Sequence, residues 1–396
     1  MNRDDLCKLV VSRGQRCIEF LQQAIRIPSI SKQEAEMGAF LASTLSATSA
    51  DVRVVEAEKG HPNVLASIRS TQPGPILLLN DHMDVVPPGP RDDWKVDPFG
   101  GEIRDGWLYG RGAVDSKGGL CAMIMATEIF LSAGGPQRGE LFVTAVCDEE
   151  VGSQLGTRYL LREGLIRGDF GIVTEPTGNR IEIATKGTMV IEVLTKGRMA
   201  HGGKPWAGIN AIEQMARFIS RLDSLREKLE KRCHPLVGKP SITAGTISGG
   251  TVPNMVPSDC CLMLDRRLIP GEAVDSALNE INEILSALRV ADPTFNARAR
   301  LVRERPSVEV SPDLPVLHAL HRAVQEVTGK EPEIGGKDGG TDAAWIHKET
   351  GIPMIHFSPG DARLVFAPDE RLNIEAYITA IKALVLTFEE ILGVAG

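Results

Sequence analysis

At 396 residues the chain is long for one hydrophobic core, so two domains are expected, and 42% apolar with 24% charged residues is the composition of an ordinary globular protein. A formal charge of −8 argues against a nucleic-acid partner, which would need a basic face, and no apolar run approaches the roughly 18 residues of a membrane span. Seven cysteines without a CxxC pair, two of them adjacent at 260 and 261, read as reduced thiols; with a charged amino terminus that lacks an apolar signal segment, they point to a cytoplasmic protein.

Residues 5–26 repeat apolar side chains at helical spacing and stop before Pro28, which predicts one long helix. Ser31 and Glu34 in "SISKQE" have capping-box spacing and predict a second helix to about residue 47. Short apolar strands follow in "VRVVEA", "NVLASI" and "PILLLND". Then come a glycine-rich loop, the apolar helix "GGLCAMIMATEIFLSAG", the strand "ELFVTAV", a helix over 154–163 and the strand in "DFGIVTEPT". Near-continuous apolar strands alternating with helices indicate an α/β domain whose sheet is buried on both faces.

From about residue 186 the order becomes strand (189–196), helix (209–231), strand (241–248), strand (258–267), helix (271–289) and strand (295–302), the β-α-β-β-α-β order of a ferredoxin-like unit. Long helices then resume, and "GIPMIHFSPG" adds one more buried strand. The expected organisation is an α/β domain with a buried mixed sheet over 1–185 and 306–396, interrupted by an inserted α+β domain over 186–305.

Ligands of an open α/β sheet bind at the carboxyl ends of its strands, so the polar residues that follow each apolar run are the candidates for chemistry. His82 and Asp84 follow "PILLLND", Asp115 lies on "GRGAVDSKGG", Glu149 and Glu150 end "LFVTAVCDEE", and Glu175 follows "GIVT", held extended by Pro176. One imidazole and several carboxylates so placed suit a divalent metal of zinc or manganese type. Singly, each has a plainer reading: a loop histidine, Asp115 as a helix cap, the glutamates as a solvated face. Their recurrence at four strand ends favours the metal. The GxSxG, GxxxxGK[ST], HExxH and GxGxxG patterns are absent, and Ser248 in "TISGG" reads as a turn, so serine nucleophiles and nucleotide binding are set aside.

"HMDVVP", "GRGAVDSKGG", "CDEEVGS", "TEPT", "KGRMAHGGKPWAGINAI" and "GTISGGTVPNMVPSDCCLMLDRR" occur in that order along nearly the whole chain. Together they resemble the M20 metallopeptidase family of acetylornithine deacetylases, succinyl-diaminopimelate desuccinylases, aminoacylases and carboxypeptidase G2-like enzymes. The resemblance implies a zinc-peptidase-like catalytic domain with an inserted lid and dimerisation domain, a homodimer or higher homo-oligomer joined through that lid, and hydrolysis of an amide C–N bond by metal-activated water. The substrate would be an N-acyl amino acid or a related small amide.

Carried over residue by residue, the resemblance makes Asp115 the carboxylate that bridges two metals, followed by a cis peptide to Ser116. His82 and Glu175 would complete one ion's ligands, and Glu150 would bind the other. Asp84 would orient the His82 imidazole through its second ring nitrogen. Glu149 would act as general base and return the proton to the leaving nitrogen, worth roughly 10²- to 10⁴-fold. His201 would polarise the substrate carbonyl from across the dimer. Asn254 and Arg267 would hold the substrate carboxylate, with Arg266 facing the other way along the strand.

One departure stands out. The family's last ligand is a histidine in a stretch resembling "FSPGDARLVFAPDERLNIE", and Phe366 occupies its place. One tight metal, zinc with manganese or cobalt as alternatives, and an incomplete second site are therefore expected; His356 is the nearest candidate to replace the missing ligand. Three readings remain open: an active amidohydrolase, a mononuclear hydrolase redirected to another C–N bond such as a deaminase or a carbamoyl or formyl hydrolase, and a silent binding protein. Glu149 and His201 argue against the last, since a binding protein needs neither a proton shuttle nor an oxyanion donor.

Overall fold

The computed structural model of the chain describes residues 1–395. They divide into two compact units, one comprising Met1–Ile183, Val310–Gly336 and Thr341–Gly396 and the other Ala184–Glu309 with Lys337–Gly340. The divisions fall within a few residues of 185/186 and 305/306, except that the short Lys337–Gly340 segment, which no composition change marks, joins the second unit. No helix among the described residues is long and apolar enough to cross a membrane.

In the first unit, strands Asp51–Glu56, Pro62–Arg69, Glu140–Val146, Ile76–His82, Phe170–Val173, Met354–His356 and Ile181–Thr185 lie side by side in that order. Ile76–His82 runs parallel to both Glu140–Val146 and Phe170–Val173, and Met354–His356 runs parallel to Phe170–Val173. The strands up to Glu140–Val146 pair antiparallel, so the sheet is mixed. Every residue of Glu140–Val146 and Phe170–Val173 is buried, which explains why these strands read as unbroken apolar runs rather than alternating ones. One layer of cover is supplied by Leu160, Ala343 and Ile346, packed on Leu78, Phe142 and Val173. Helix Lys117–Ser132, almost wholly buried, packs with Gly14–Arg26 and Ile374–Leu392. The four parallel strands bring their carboxyl ends to one edge; His82, Glu149, Glu150 and Glu175 stand at three of those ends, and Asp115 comes from the loop before helix Lys117–Ser132.

The amino-terminal segment forms two helices, Arg3–Ser12 and Gly14–Arg26. Arg13 leaves helical geometry between them (φ −96°, ψ 2°), yet the apolar stripe Leu6, Val10, Cys17, Leu21 and Ala24 continues across the break, and so the sequence reads as one helix. The capping box at Ser31 and Glu34 does not form. Ser31 Oγ donates to Asp84 Oδ2 (2.7 Å), while Glu34 accepts from Lys32 N–H (2.7 Å) and meets His61 Nδ1 (2.9 Å) ahead of the helix Ala35–Ser46. The helix expected over 154–163 is only Thr157–Arg162, because the residues after Glu150 are spent on a tight turn.

In the second unit the four-stranded sheet has the order Ser241–Gly249, Asp259–Leu268, Gly187–Lys196, Ala297–Arg305, all neighbours antiparallel. Burial alternates along Gly187–Lys196 and Asp259–Leu268, placing Met189, Ile191, Val193, Leu262 and Leu264 in a core shared with helices Ala211–Leu229 and Val274–Ala291. This is the ferredoxin-like arrangement. Ser248 lies inside the edge strand Ser241–Gly249 rather than in a turn; Gly249 and Gly250, which suggested a turn, follow it.

Candidate metal centre

His82 closes the strand Ile76–His82 and is 2% exposed. Its Nε2 lies 3.3 Å from Asp115 Oδ1 and 3.6 Å from Glu175 Oε1. One nitrogen or oxygen from each of the three lies within 4.8 Å of the others, and all three residues are buried. The approach of Asp115 to Glu175 depends on Gly119: a Cβ there would run into the Thr174 carbonyl and the Ser358 hydroxyl, so only glycine lets the helix from Lys117 come this close to the strand end. The Asp115–Ser116 peptide is cis, as the resemblance implied.

Asp84 is fully buried but relates to His82 differently from the expectation. Its backbone carbonyl, at 2.9 Å, is nearer to His82 Nδ1 than its carboxylate, at 3.6 Å. The carboxylate is drawn to other donors: Oδ1 accepts Glu149 N–H (3.0 Å), and Oδ2 accepts Glu150 N–H (3.3 Å) and Ser31 Oγ–H. Burial would push its carboxyl up, but His82, Ser31 and the Glu149 amide together hold it below the usual range. Asp84 thus sets the ring tautomer and also anchors the turn that carries both glutamates. Asp148 begins that turn in left-handed geometry (φ 66°), and its carboxylate accepts Leu155 N–H at 3.0 Å.

Electrostatically the cluster calls for a cation. Burial alone would lower the basicity of His82, yet Asp115, Asp84, Glu149 and Glu175 raise it well above the ordinary histidine value. Glu150 is pushed up to about 10 by burial first and then by Asp115. Its Oε1 is enclosed with no hydrogen-bond partner among the described residues. An imidazole nitrogen with carboxylate oxygens, acidic in sum and partly unpartnered, fits a divalent ion of borderline hardness.

Phe366 is half exposed, with φ 63°. It offers no side-chain donor to an ion. His356 does not join the three-residue cluster; it is fully buried and its Nε2 meets Thr341 Oγ1 at 2.7 Å, the geometry of a core histidine. His201, Asn254 and Arg267 belong to the second unit. There Ala200–His201 pairs with Met255–Val256, and Gly202 N–H donates to the Asn254 carbonyl (2.8 Å), so exposed His201 and Asn254 are neighbours. Arg266 is buried against Glu272, while Arg267 lies on the opposite face with its guanidinium on Asp265 (2.7 and 3.1 Å).

Asp81, absent from the sequence-based candidates, ties the cluster together. Its Oδ1 accepts Ser116 Oγ–H (2.5 Å) and His82 N–H (2.8 Å), and its Oδ2 accepts Thr174 Oγ1–H (2.6 Å). One carboxylate therefore touches the residue after Asp115, His82 itself and the residue before Glu175. A signal was present: an aspartate inside the apolar run "ILLLNDH" must find donors within the protein.

A family model described as Peptidase family M20/M25/M40 matches residues 78–390. The succinyl-diaminopimelate desuccinylase of Methylorubrum extorquens (strain PA1) is 31% identical over 387 residues, covering 92% of this chain and 96% of that relative. The N-formyl-4-amino-5-aminomethyl-2-methylpyrimidine deformylase of Bacillus subtilis (strain 168) is 28% identical over 82% of each chain. Among solved structures, an M20 family metallo-carboxypeptidase from Sulfolobus solfataricus matches with a TM-score of 0.78 at 21% identity, covering 95% of this chain and 99% of that one, a likeness of fold.

Proposed function

The chain belongs to peptidase family M20/M25/M40, and from that membership we propose that it removes the acyl group from an N-acyl amino acid or a related small amide by hydrolysing the amide C–N bond. The observation that carries the reading is the buried convergence of His82, Asp115 and Glu175 beside Glu149. These three residues would hold a divalent ion, zinc before manganese or cobalt, which when bound polarises the acyl carbonyl and makes water more acidic. Glu149, 7% exposed and fixed by its amide to Asp84, takes the proton of the attacking water and delivers it to the leaving nitrogen. The low exposure keeps bulk water from competing for that proton. His201, reaching across the dimer, would donate to the developing oxyanion, and Asn254 and Arg267 would bind the substrate carboxylate, with Arg267 exchanging Asp265 for that ligand.

A single firmly held ion is expected, because Phe366 supplies no donor and leaves Glu150 and Asp115 alone at the second position. That feature, with the similarity to a deformylase, favours a second reading in which the bond cleaved carries a formyl, carbamoyl or similarly small group, or an exchangeable amine. The protein is expected to be a homodimer joined through the second unit. Strand Ser241–Gly249 has a single pairing neighbour, and the unit exposes Trp206 (79%), Ile247 (55%) and Val252 (48%), apolar surface that a second copy would cover. Seven cysteines without a disulfide fit a reducing, cytoplasmic setting.

The test is a screen of acetyl, succinyl, formyl and carbamoyl amino acids, dipeptides and aromatic amines on protein of known metal content, with light scattering for the oligomer. Glu149→Gln should abolish turnover of the substrate found and leave metal content unchanged; retained turnover would remove Glu149 from its role.

A further inference from the structure

Glu370 is wholly buried and reaches the glycine-rich loop from 255 residues away along the chain. Its Oε1 accepts the backbone N–H of Val114 (2.7 Å) and of Asp115 (3.0 Å), and its carbonyl accepts Gly110 N–H (2.9 Å). Its Oε2 meets Arg111 Nη1 at 2.5 Å. Arg111, 2% exposed, turns Nη2 to the Phe366 carbonyl (3.1 Å) and sets its guanidinium over the Trp94 ring. One carboxylate thus holds two successive amides of the loop, and one guanidinium both neutralises that carboxylate and pins the segment containing Phe366.

Arg111 N–H is taken by the Pro98 carbonyl (2.7 Å) and Ser116 Oγ–H by Asp81, but the two amides between them, Val114 and Asp115, depend on Glu370. Gly110 and Gly112 adopt positive φ (156° and 84°), and the amides of Val114 and Asp115 precede the helix that starts at Lys117, so no regular ladder supplies their acceptors. Glu370 supplies both through a single oxygen. An unneutralised carboxylate so near Asp115 would add negative charge beside an acidic cluster; Arg111 cancels that charge without removing the acceptor. A ligand side chain must be held to within roughly 0.5 Å to bind its ion well, and the direction of the Asp115 carboxylate follows from its backbone.

We propose that Glu370 and Arg111 are positioning residues for the metal centre: Glu370 sets the Asp115 backbone, and with it the aim of the Asp115 carboxylate toward His82 and Glu175, while Arg111 makes that carboxylate tolerable where it is needed. The inference rests on Asp115 being a metal ligand. Glu370 acts through its oxygen acceptor, not through its charge.

Two double variants separate acceptor from charge. R111M/E370Q and R111M/E370M both lack the ion pair, but only the first retains an oxygen for the two amides. Zinc affinity of the folded full-length chain is measured by competition with a chromophoric chelator, with melting temperatures recorded alongside. R111M/E370Q should bind zinc close to wild type, and R111M/E370M roughly 10- to 100-fold more weakly, the usual effect of losing a group that orients a ligand. Equal affinities in the two variants overturn the proposal whatever their melting temperatures, because a purely structural pair would change stability and not affinity. E370D keeps Arg111 paired but is one methylene short of the amides, and should also weaken zinc binding; an unchanged affinity would equally overturn it. A wild-type chain that takes up no zinc would instead sink the metal-centre reading itself.

Discussion

Replacing Phe366 with histidine should convert a one-ion protein into a two-ion protein. The backbone accepts the change, since φ of 63° suits histidine better than phenylalanine, and Arg111 holds the carbonyl rather than the ring. Glu150 brings an enclosed, unpartnered Oε1 whose carboxyl is pushed up to about 10, chiefly by burial and then by Asp115. In the metal-free chain an ion must displace that proton at neutral pH against up to about 4 kcal/mol, a cost that an ion already held by Asp115 reduces but, since burial is the larger cause, does not remove. Two carboxylates alone do not offset this; an added imidazole nitrogen contributes a third donor. One proton leaves Glu150 for each second ion bound, so the apparent affinity of the second site should rise about tenfold per pH unit between roughly 6 and 9. Elemental analysis after gel filtration gives the ion count, and zinc titrations across that range give the slope. The reasoning fails if F366H still holds one ion at the top of the range, or takes a second whose affinity ignores pH.

Metal-free protein should melt at a higher temperature near pH 5.5 than near pH 8.5, and zinc should flatten or reverse the trend. Folded His82, raised well above 6.5 by Asp115 and Asp84 against the effect of burial, and folded Glu150, raised from 4.5 mainly by burial, both keep protons that the unfolded chain releases. The stability they contribute is present at low pH and lost as pH rises through their folded values. Asp84 has the opposite sign, but its stabilisation is lost only as pH falls below the ordinary 3.8, outside this window; buried Lys117, lowered to about 7 by burial, opposes the trend above that pH without outweighing the two raised groups. A melting temperature that climbs with pH in the presence of a chelator would contradict the argument. Gly119→Ala should destabilise by about 1–3 kcal/mol and reduce bound metal, because the new methyl must displace Thr174, the neighbour of Glu175; calorimetry with metal analysis checks both.

What the sequence made legible was local. His82, Glu149, Glu150 and Glu175 come at or just after apolar runs, so pattern and position coincide for them, while Asp115 was marked by its glycine-rich loop. Alternation along a half-buried strand separated Arg266 from Arg267 without any tertiary knowledge. What stayed hidden depends on partners far along the chain. Glu370 looks like one acid in a turn until the amides of Val114 and Asp115 are seen to end on it, and Ser31 has the right spacing for a helix cap until Asp84 claims its hydroxyl. The helix break at Arg13 escaped for a different reason, since it leaves the apolar stripe intact.

The place of Met354–His356 between Phe170–Val173 and Ile181–Thr185 has a bearing on biosynthesis. About 180 residues separate Val173 from this strand, and until they are synthesised the inner edge of Phe170–Val173 offers bare amides and carbonyls. Glu370 emerges later still. A nascent or prematurely terminated chain therefore carries an open, strongly apolar strand edge and an Asp115 loop without its acceptor, making it a substrate for chaperones and proteases rather than a smaller working enzyme.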